Sequence, residues 1–502
     1  MPMKAEAFHP ATEDPVSNVL KWILLAVGIL TFALMGWATV ITYRTAPPQP
    51  ERFLAANGRV MMTGEDIIAG KAGFQKADLM DYGSLYGMGS YYGEDYTAML
   101  LVRLGTLTEQ NIAATRFGGA LTDLTADQQA AARSAMQKML QRIDLTRPDV
   151  SFPSALSAAV ATVQAETAKQ LNTVDPANGW TPAYSLSPKD AVQTADFLIY
   201  SALTTVARRP GLEASWTQNW PFEPLVGNTP TSSTFIWTWI SFSFTFLMFG
   251  AVIFIYERFL NHPDDAPMDP VLVDFLSLTP SQRKTGKYFL IVAVLLLVQI
   301  AAGTLMAHSY YDRTSFYGYD INRLFPFNFL RDVHIQAPIV WIGLSWIASA
   351  LFLGPAIAGG KEARGQALCV DLLFWATLIV VVGALAGDYL GIMGYIRQDW
   401  FWFGNQGLSY IQLGRFWQIG FFLGLAFWSV LVLRALWPTG TALAHATRQF
   451  WSGRIRLENL IWAATVNIAV LYAFGMIPLT GIEKSFTIAD FWRWWVVHLW
   501  VE

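Results

Sequence analysis

The chain has 502 residues, of which 53% are hydrophobic and only 14% charged, with a net charge of −3. That is too much apolar surface for soluble domains to hide, so a membrane protein is expected, and without a basic run nucleic acid is excluded as a partner. The single cysteine, Cys369, rules out a disulfide framework and a thiolate zinc or iron–sulfur site within the chain, so any metal falls to His, Glu, Asp or backbone oxygen.

The first apolar run, 19–42, is longer than a signal-peptide core and lacks a small-residue cleavage site; it reads as an uncleaved anchor. Residues 1–43 are then a cytoplasmic tail and anchor. From 44 to 232 the chain is polar, with amphipathic helical stretches at 125–142 and 154–173 and no spanning run, as expected of a water-facing domain. Apolar runs recur from 233 onward, at 233–257, 287–308, 328–357, 367–387, 415–437, 459–479 and from 490 to the end. Counting the anchor, this predicts seven complete spans and an eighth cut short, since about 13 residues make only roughly 20 Å of helix against roughly 30 Å of hydrocarbon. The expectation is a C-terminally truncated bundle over 233–502. Ten basic residues flank the loops on one side and seven those on the other, which places the N-terminus in the cytoplasm and the polar domain outside.

Six histidines are present, and three of them, His9, His262 and His445, fall in polar segments and receive no role. His498 and Glu502, in RWWVVHLWVE, are four residues apart. On a helix they share a face about 6 Å apart in rise, so an imidazole and a carboxylate can meet one metal ion. A carboxylate at membrane depth is costly unless neutralised, paired or metal-bound, which makes function the default reading; a side chain solvated beside the chain end is the alternative. His334, in RDVHIQ, is an axial haem ligand, a hydrogen-bonded core histidine or an interfacial residue. His308 and Asp312, in AHSYYD, close the third span, where such a pair can accept protons from a quinol; snorkelling helix-end residues are the plainer alternative.

The segment from Arg44 to about Arg103, with TYRTAPPQPERF and AGKAGFQKADLMDYGSLYGMGSYYGED, resembles the hydrophilic domain of single-chain, quinol-dependent nitric oxide reductases of the haem–copper oxidase superfamily. That domain is itself similar to a cytochrome c; the helix with Gly70, Gly73 and Phe74 resembles its opening helix. Where a cytochrome c carries CxxCH this chain reads ADLMDYGS, and residues 44–232 contain neither Cys nor His, so no c-type haem can be attached. AHSYYD, RDVHIQ, FGNQGLSYIQLGRFWQ and WRWWVVHLWVE extend the resemblance along the bundle.

The resemblance implies an all-α polytopic membrane protein: a helical bundle of the haem–copper oxidase type, with an N-terminal anchor and an extracytoplasmic cytochrome c-like domain lacking haem c, in the bacterial inner membrane. It implies reduction of two nitric oxide molecules by quinol to nitrous oxide and water, using a low-spin haem b, a high-spin haem b3 and a non-haem iron. His334 matches an axial ligand of haem b; His498 and Glu502 match ligands of the iron and the catalytic centre. His308 and Asp312 match the quinol contacts, with Asp312 standing where Glu is usual. Gly89 and Tyr91 match residues that help hold calcium, although Ser409 and Gln412 stand where acids are common. The remaining haem and iron ligands are expected beyond Glu502, so this stretch alone is expected to be inactive. A homodimer is a candidate assembly. The rival readings are a nitric oxide dismutase relative and a non-catalytic membrane binding or transport protein. An oxygen reductase is disfavoured by HLWVE, which puts a glutamate where a tyrosine would be expected.

Overall fold

The computed structural model describes residues 18–260, 277–438, 444, 457–477 and 485–496. His9, His262, His445, His498 and Glu502 lie outside them.

Helix α1 (Asn18–Thr45) leads into the polar domain. There strand β1 (Arg52–Leu54) lies between β2 (Val60–Thr63), antiparallel to it, and the later β5 (Asp149–Ser151), parallel to it. Helices α2 (Gly64–Lys76) and α3 (Leu79–Tyr82) follow, then a two-stranded ribbon of β3 (Ser84–Leu85) and β4 (Met88–Gly89). These small sheets were not legible as alternating patterns, being two to four residues long. The rest of the domain is helical: α4 (Tyr96–Ile112), α5 (Ala126–Gln141), α6 (Ser154–Leu171), α7 (Pro182–Ser185) and α8 (Pro188–Thr204). Starts are set by side-chain caps. Thr63 with Asp66, Thr125 with Gln128 and Ser187 with Asp190 form reciprocal capping boxes, each satisfying two otherwise orphaned amides.

The domain core is built where α2 lies on α8. Gly70 and Gly73 make the approach possible: a Cβ on Gly70 would stand 1.8 Å from the Gln193 carbonyl oxygen. Phe74, fully buried one turn on, fills the space between α8 and α4 through Phe197 and Tyr96.

Beyond the polar domain come α9 (Ser232–Ile255), α10 (Pro280–Tyr311), α11 (Phe327–Ile357), α12 (Gln366–Ile392), the short α13 (Trp400–Phe403), α14 (Arg415–Leu436), α15 (Leu457–Phe474) and α16 (Phe486–Val496). Among the described residues six helices, α1, α9, α10, α11, α12 and α14, are long and apolar enough to cross a membrane. Among the described residues of the run expected to span at 459–479, the helix ends at Phe474. Gly475, a poor helix former, follows the last helical residue. Helix α9 buries none of its residues, as suits a lipid-facing surface. At the end of the bundle away from the polar domain, Lys284 and Lys287 of α10 both pair with Asp371 of α12, and Tyr288 donates to the Val370 carbonyl at 2.8 Å.

The polar domain and the bundle share a welded seam. Phe486 of α16 enters the polar domain's core, its ring 6.4 Å from that of Phe74 and 5.8 Å from Tyr86. Tyr92 stacks on Phe327, the first residue of α11, at 3.7 Å. Gly407 has φ +56°, and a Cβ there would meet the Gln75 carbonyl oxygen at 2.0 Å, so the loop after α13 lies directly on the end of α2. Gln75 Nε2 donates to Gln406 O at 2.9 Å across the same contact.

Gly70→Ala should therefore lower the thermal midpoint of the detergent-solubilised protein, as overpacking against a backbone atom costs about 1–3 kcal/mol or more. Gly286→Ala on α10, where a Cβ meets nothing within 4 Å, should be neutral or stabilising by up to about 1 kcal/mol. Equal midpoints for the two variants would contradict the α2–α8 packing.

Candidate functional site

His334 sits in the second turn of α11 and turns toward α10. Its Nδ1 lies 3.1 Å from the Gln299 carbonyl oxygen, which fixes Nδ1 as the donor and leaves Nε2 as the nitrogen able to bind a metal. Gln299 is held in turn, its side-chain oxygen accepting from Trp341 Nε1 at 2.8 Å. The ring fits only because residue 303 is glycine: a Cβ there would stand 2.7 Å from Cε1 and 2.8 Å from Nδ1. The ring is thus held by packing on one side and by a carbonyl on one nitrogen, an anchoring that metal-binding and core histidines share.

His308 lies at the same end of the bundle, near the close of α10. Phe316 and Tyr317 enclose its ring at 4.8 and 4.9 Å, and its Nε2 is buried without a hydrogen bond. Asp312 caps α10 four residues on, but its carboxylate serves the following turn. Oδ1 accepts from Thr314 N and Oγ1 at 2.9 Å each and from Ser315 N at 3.2 Å, and Oδ2 accepts from Ser315 Oγ at 2.7 Å. The Ser315 hydroxyl and the Thr314 amide and hydroxyl hold its pKa down at about 2, so it stays ionised near neutral pH. The two residues share a helix end, yet the structure records no contact between their side chains.

Gly89, at φ +123°, crosses tightly over α3, a Cβ there meeting Met80 O at 2.5 Å. Tyr91 is 73% exposed, and its hydroxyl donates back to Gly87 O at 2.8 Å. Ser409 and Gln412 lie inside the seam: Ser409 Oγ accepts from Arg331 at 3.0 Å, and Gln412 Nε2 donates to Asp81 Oδ2 at 3.2 Å. Gln412 also accepts from Gln336, which lines an apolar cavity of about 410 Å³ between α11, α12 and α14.

A histidine-centred reading of the sequence missed the acids of this seam. Asp78 and Asp81, around the start of α3, meet Asp332 of α11 and Asp388 of α12, and all four are fully buried. Arg331 pairs with Asp81 and is the guanidinium that faces the group, while its neighbour Arg493 is committed to Asp490. Burial and the nearby Asp388 carboxyl push Asp78 well above the usual carboxylate range. A signal was available, for Asp332 lies within the apolar run at 328–357 and Asp388 directly follows the one at 367–387, where an ionisable residue is functional by default.

Two family profiles match the chain in tandem. Residues 50–222 match the cytochrome c-like domain of the nitric oxide reductase protein NorB, and residues 283–502 match "Cytochrome C and Quinol oxidase polypeptide I". The fold is of the haem–copper oxidase type. It is an all-helical, multi-pass membrane bundle joined to a cytochrome c-like domain without a haem-attachment motif. The chain is also 24% identical over 226 residues to the NorB protein of the nitric oxide reductase of Stutzerimonas stutzeri, a match covering 44% of this chain and 42% of that protein.

Gly303→Ala drives a methyl group into the His334 ring. The thermal midpoint should fall by the equivalent of about 1–3 kcal/mol, and His334→Ala in the same chain should recover part of that loss by removing the clash. Additive effects of the two substitutions would contradict the contact.

Proposed function

We propose that this chain carries the catalytic bundle of a quinol-dependent nitric oxide reductase, taking two nitric oxide molecules and one quinol to nitrous oxide, water and quinone. One observation carries the reading: a domain of cytochrome c type sits on a bundle of the haem–copper oxidase type, yet residues 44–232 hold no Cys or His to bind haem c. Electrons then need a membrane donor. The likeness to the NorB protein of nitric oxide reductases supports the choice of substrate.

Bound haem b, haem b3 and non-haem iron would supply the two-electron reduction that couples two nitrogen atoms. His334 Nε2 is the nitrogen offered to the low-spin haem, and the Gln299 carbonyl makes that imidazole more basic by accepting from Nδ1. His498 and Glu502, outside the described residues, are assigned to the iron, for which a hard carboxylate beside an imidazole is suited. His308 Nε2, enclosed by aromatic rings and lacking a partner, is the atom assigned to receive a quinol proton. Asp312 supports it indirectly, by fixing the turn that carries Phe316 and Tyr317. Gly89 and Tyr91 are assigned to calcium. The apolar cavity beside Gln336 offers a small uncharged substrate a place inside the bundle. We place the protein in a bacterial inner membrane with its polar domain on the periplasmic side, on the bias of basic residues toward the opposite loops.

Nitric oxide consumption by the full-length protein with reduced quinol tests the assignment. Glu502→Ala should cut turnover by about 100-fold or more, since even partners of metal ligands cost 10–100-fold. His334→Ala should abolish the low-spin haem bands. Wild-type-like turnover in Glu502→Ala, or oxygen release from nitric oxide without quinol as a dismutase would give, would overturn it.

A further inference from the structure

We propose that Lys284 and Lys287 of α10, with Asp371 and Trp375 of α12, form a binding site for a phospholipid with an anionic phosphodiester headgroup, at the end of the bundle away from the polar domain. Both ammonium groups are turned onto the one Asp371 carboxylate. Two cations on one carboxylate leave positive charge in excess, and Arg283, exposed one turn before Lys287 on the same face, adds to it. Glu362, in the connection between α11 and α12, is flanked by Lys361 and Arg364 and accepts from Ser281 N at 2.8 Å, so it does not offset the excess.

The cluster is not built like lysines reaching for water. A lysine at a helix end ordinarily extends its stem and leaves the ammonium in the aqueous layer. Lys287 instead keeps only 26% of its side chain exposed, and its Nζ lies 4.4 Å from the centroid of the Phe374 ring and 5.8 Å from that of Trp375. A cation held between a carboxylate and two aromatic faces is only partly solvated by water, and a second anion completes its surroundings. Depth agrees with a headgroup. The apolar run of α10 opens at 287, and Lys284 stands roughly 4.5 Å of rise outside it, so the ammonium pair lies where the interfacial layer meets the hydrocarbon.

A bed for the acyl chains runs on from the charges. Helices α10 and α12 both start at this end and run the same way, so a residue three on from Lys287 and one four on from Asp371 turn to one side of the helix–helix contact. Leu290 and Trp375 hold those positions, Leu297 and Ile379 continue the two stripes inward, and each is more than half exposed. Positive charge at the phosphate layer with an apolar groove directly beneath it is the footprint of one lipid molecule, whereas free phosphate would use only the upper half. This site does not rest on the reaction proposed above.

The test uses the purified full-length protein in a neutral detergent, titrated with dioleoylphosphatidylglycerol or with dioleoylphosphatidylcholine, reading bound lipid by native mass spectrometry together with the thermal midpoint. Saturable retention of phosphatidylglycerol is expected, with a rise in the midpoint that phosphatidylcholine does not give. Affinity should fall by about fivefold for each lysine lost in Lys284→Gln and Lys287→Gln. Asp371→Asn should bind phosphatidylglycerol at least as tightly as the wild type, because it adds to the positive excess, while its lipid-free midpoint falls. An ion pair that only pins the helices would instead lower the midpoint in all three variants and leave lipid selectivity unchanged. Inorganic phosphate should neither raise the midpoint nor displace the lipid. Should a lysine variant fail to fold, the contrast between the two lipids in the wild type, and its weakening at high salt, still decides. Equal retention of the two lipids, unchanged phosphatidylglycerol affinity in both lysine variants, loss of binding in Asp371→Asn alone, or the same midpoint rise from phosphate alone would each overturn the proposal.

Discussion

Everything in this molecule depends on how a water-facing domain is held rigidly on a lipid-facing bundle. The join is made of buried groups: the Arg331–Asp81 pair, the Phe486 ring in the polar domain's core, and the Gly407 backbone lying on the end of α2. A buried ion pair seldom adds net stability relative to apolar packing, but breaking one leaves an uncompensated charge that costs about 3–5 kcal/mol. The seam therefore resists sliding and tilting more than it adds to overall stability. That suits a domain whose place over the bundle must be kept, with His334 one turn from Arg331 on the same helix.

The helix pattern follows from the same physics at a smaller scale. Apolar runs of about 20 residues set the spans, because in hydrocarbon every backbone group has to bond within its own segment. Polar side chains within those runs then acquire disproportionate weight. His334 is positioned by Gln299 and by the missing side chain at Gly303, whereas Asp312 is spent on a turn. The first geometry fixes a ring and its tautomer; the second fixes a loop.

Much of the architecture was readable beforehand. The spans over α10, α11, α12 and α14 stood out by length and hydropathy. The role open to His334 could be posed from its place in an apolar helix but not decided, since its anchor, Gln299, lies 35 residues away on another helix. The acidic seam was harder still. Asp78 and Asp332 are far apart in sequence, and only the folding of α3 onto α11 brings them together. Asp388 carried a local warning, a carboxylate at the very end of an apolar run, that a search centred on histidine passed over. The short ribbon of β3 and β4 escaped notice for another reason: two residues per strand give no period to detect.

The central claim is that electrons enter this protein from the membrane, through haem held by histidine alone, with no haem fixed to the polar domain. Acid–acetone extraction of the purified full-length protein, with the pyridine spectrum of extract and residue, tests it most directly. The account predicts that all haem leaves the polypeptide as protohaem. Haem retained covalently on the chain, or a preparation containing none, would contradict it.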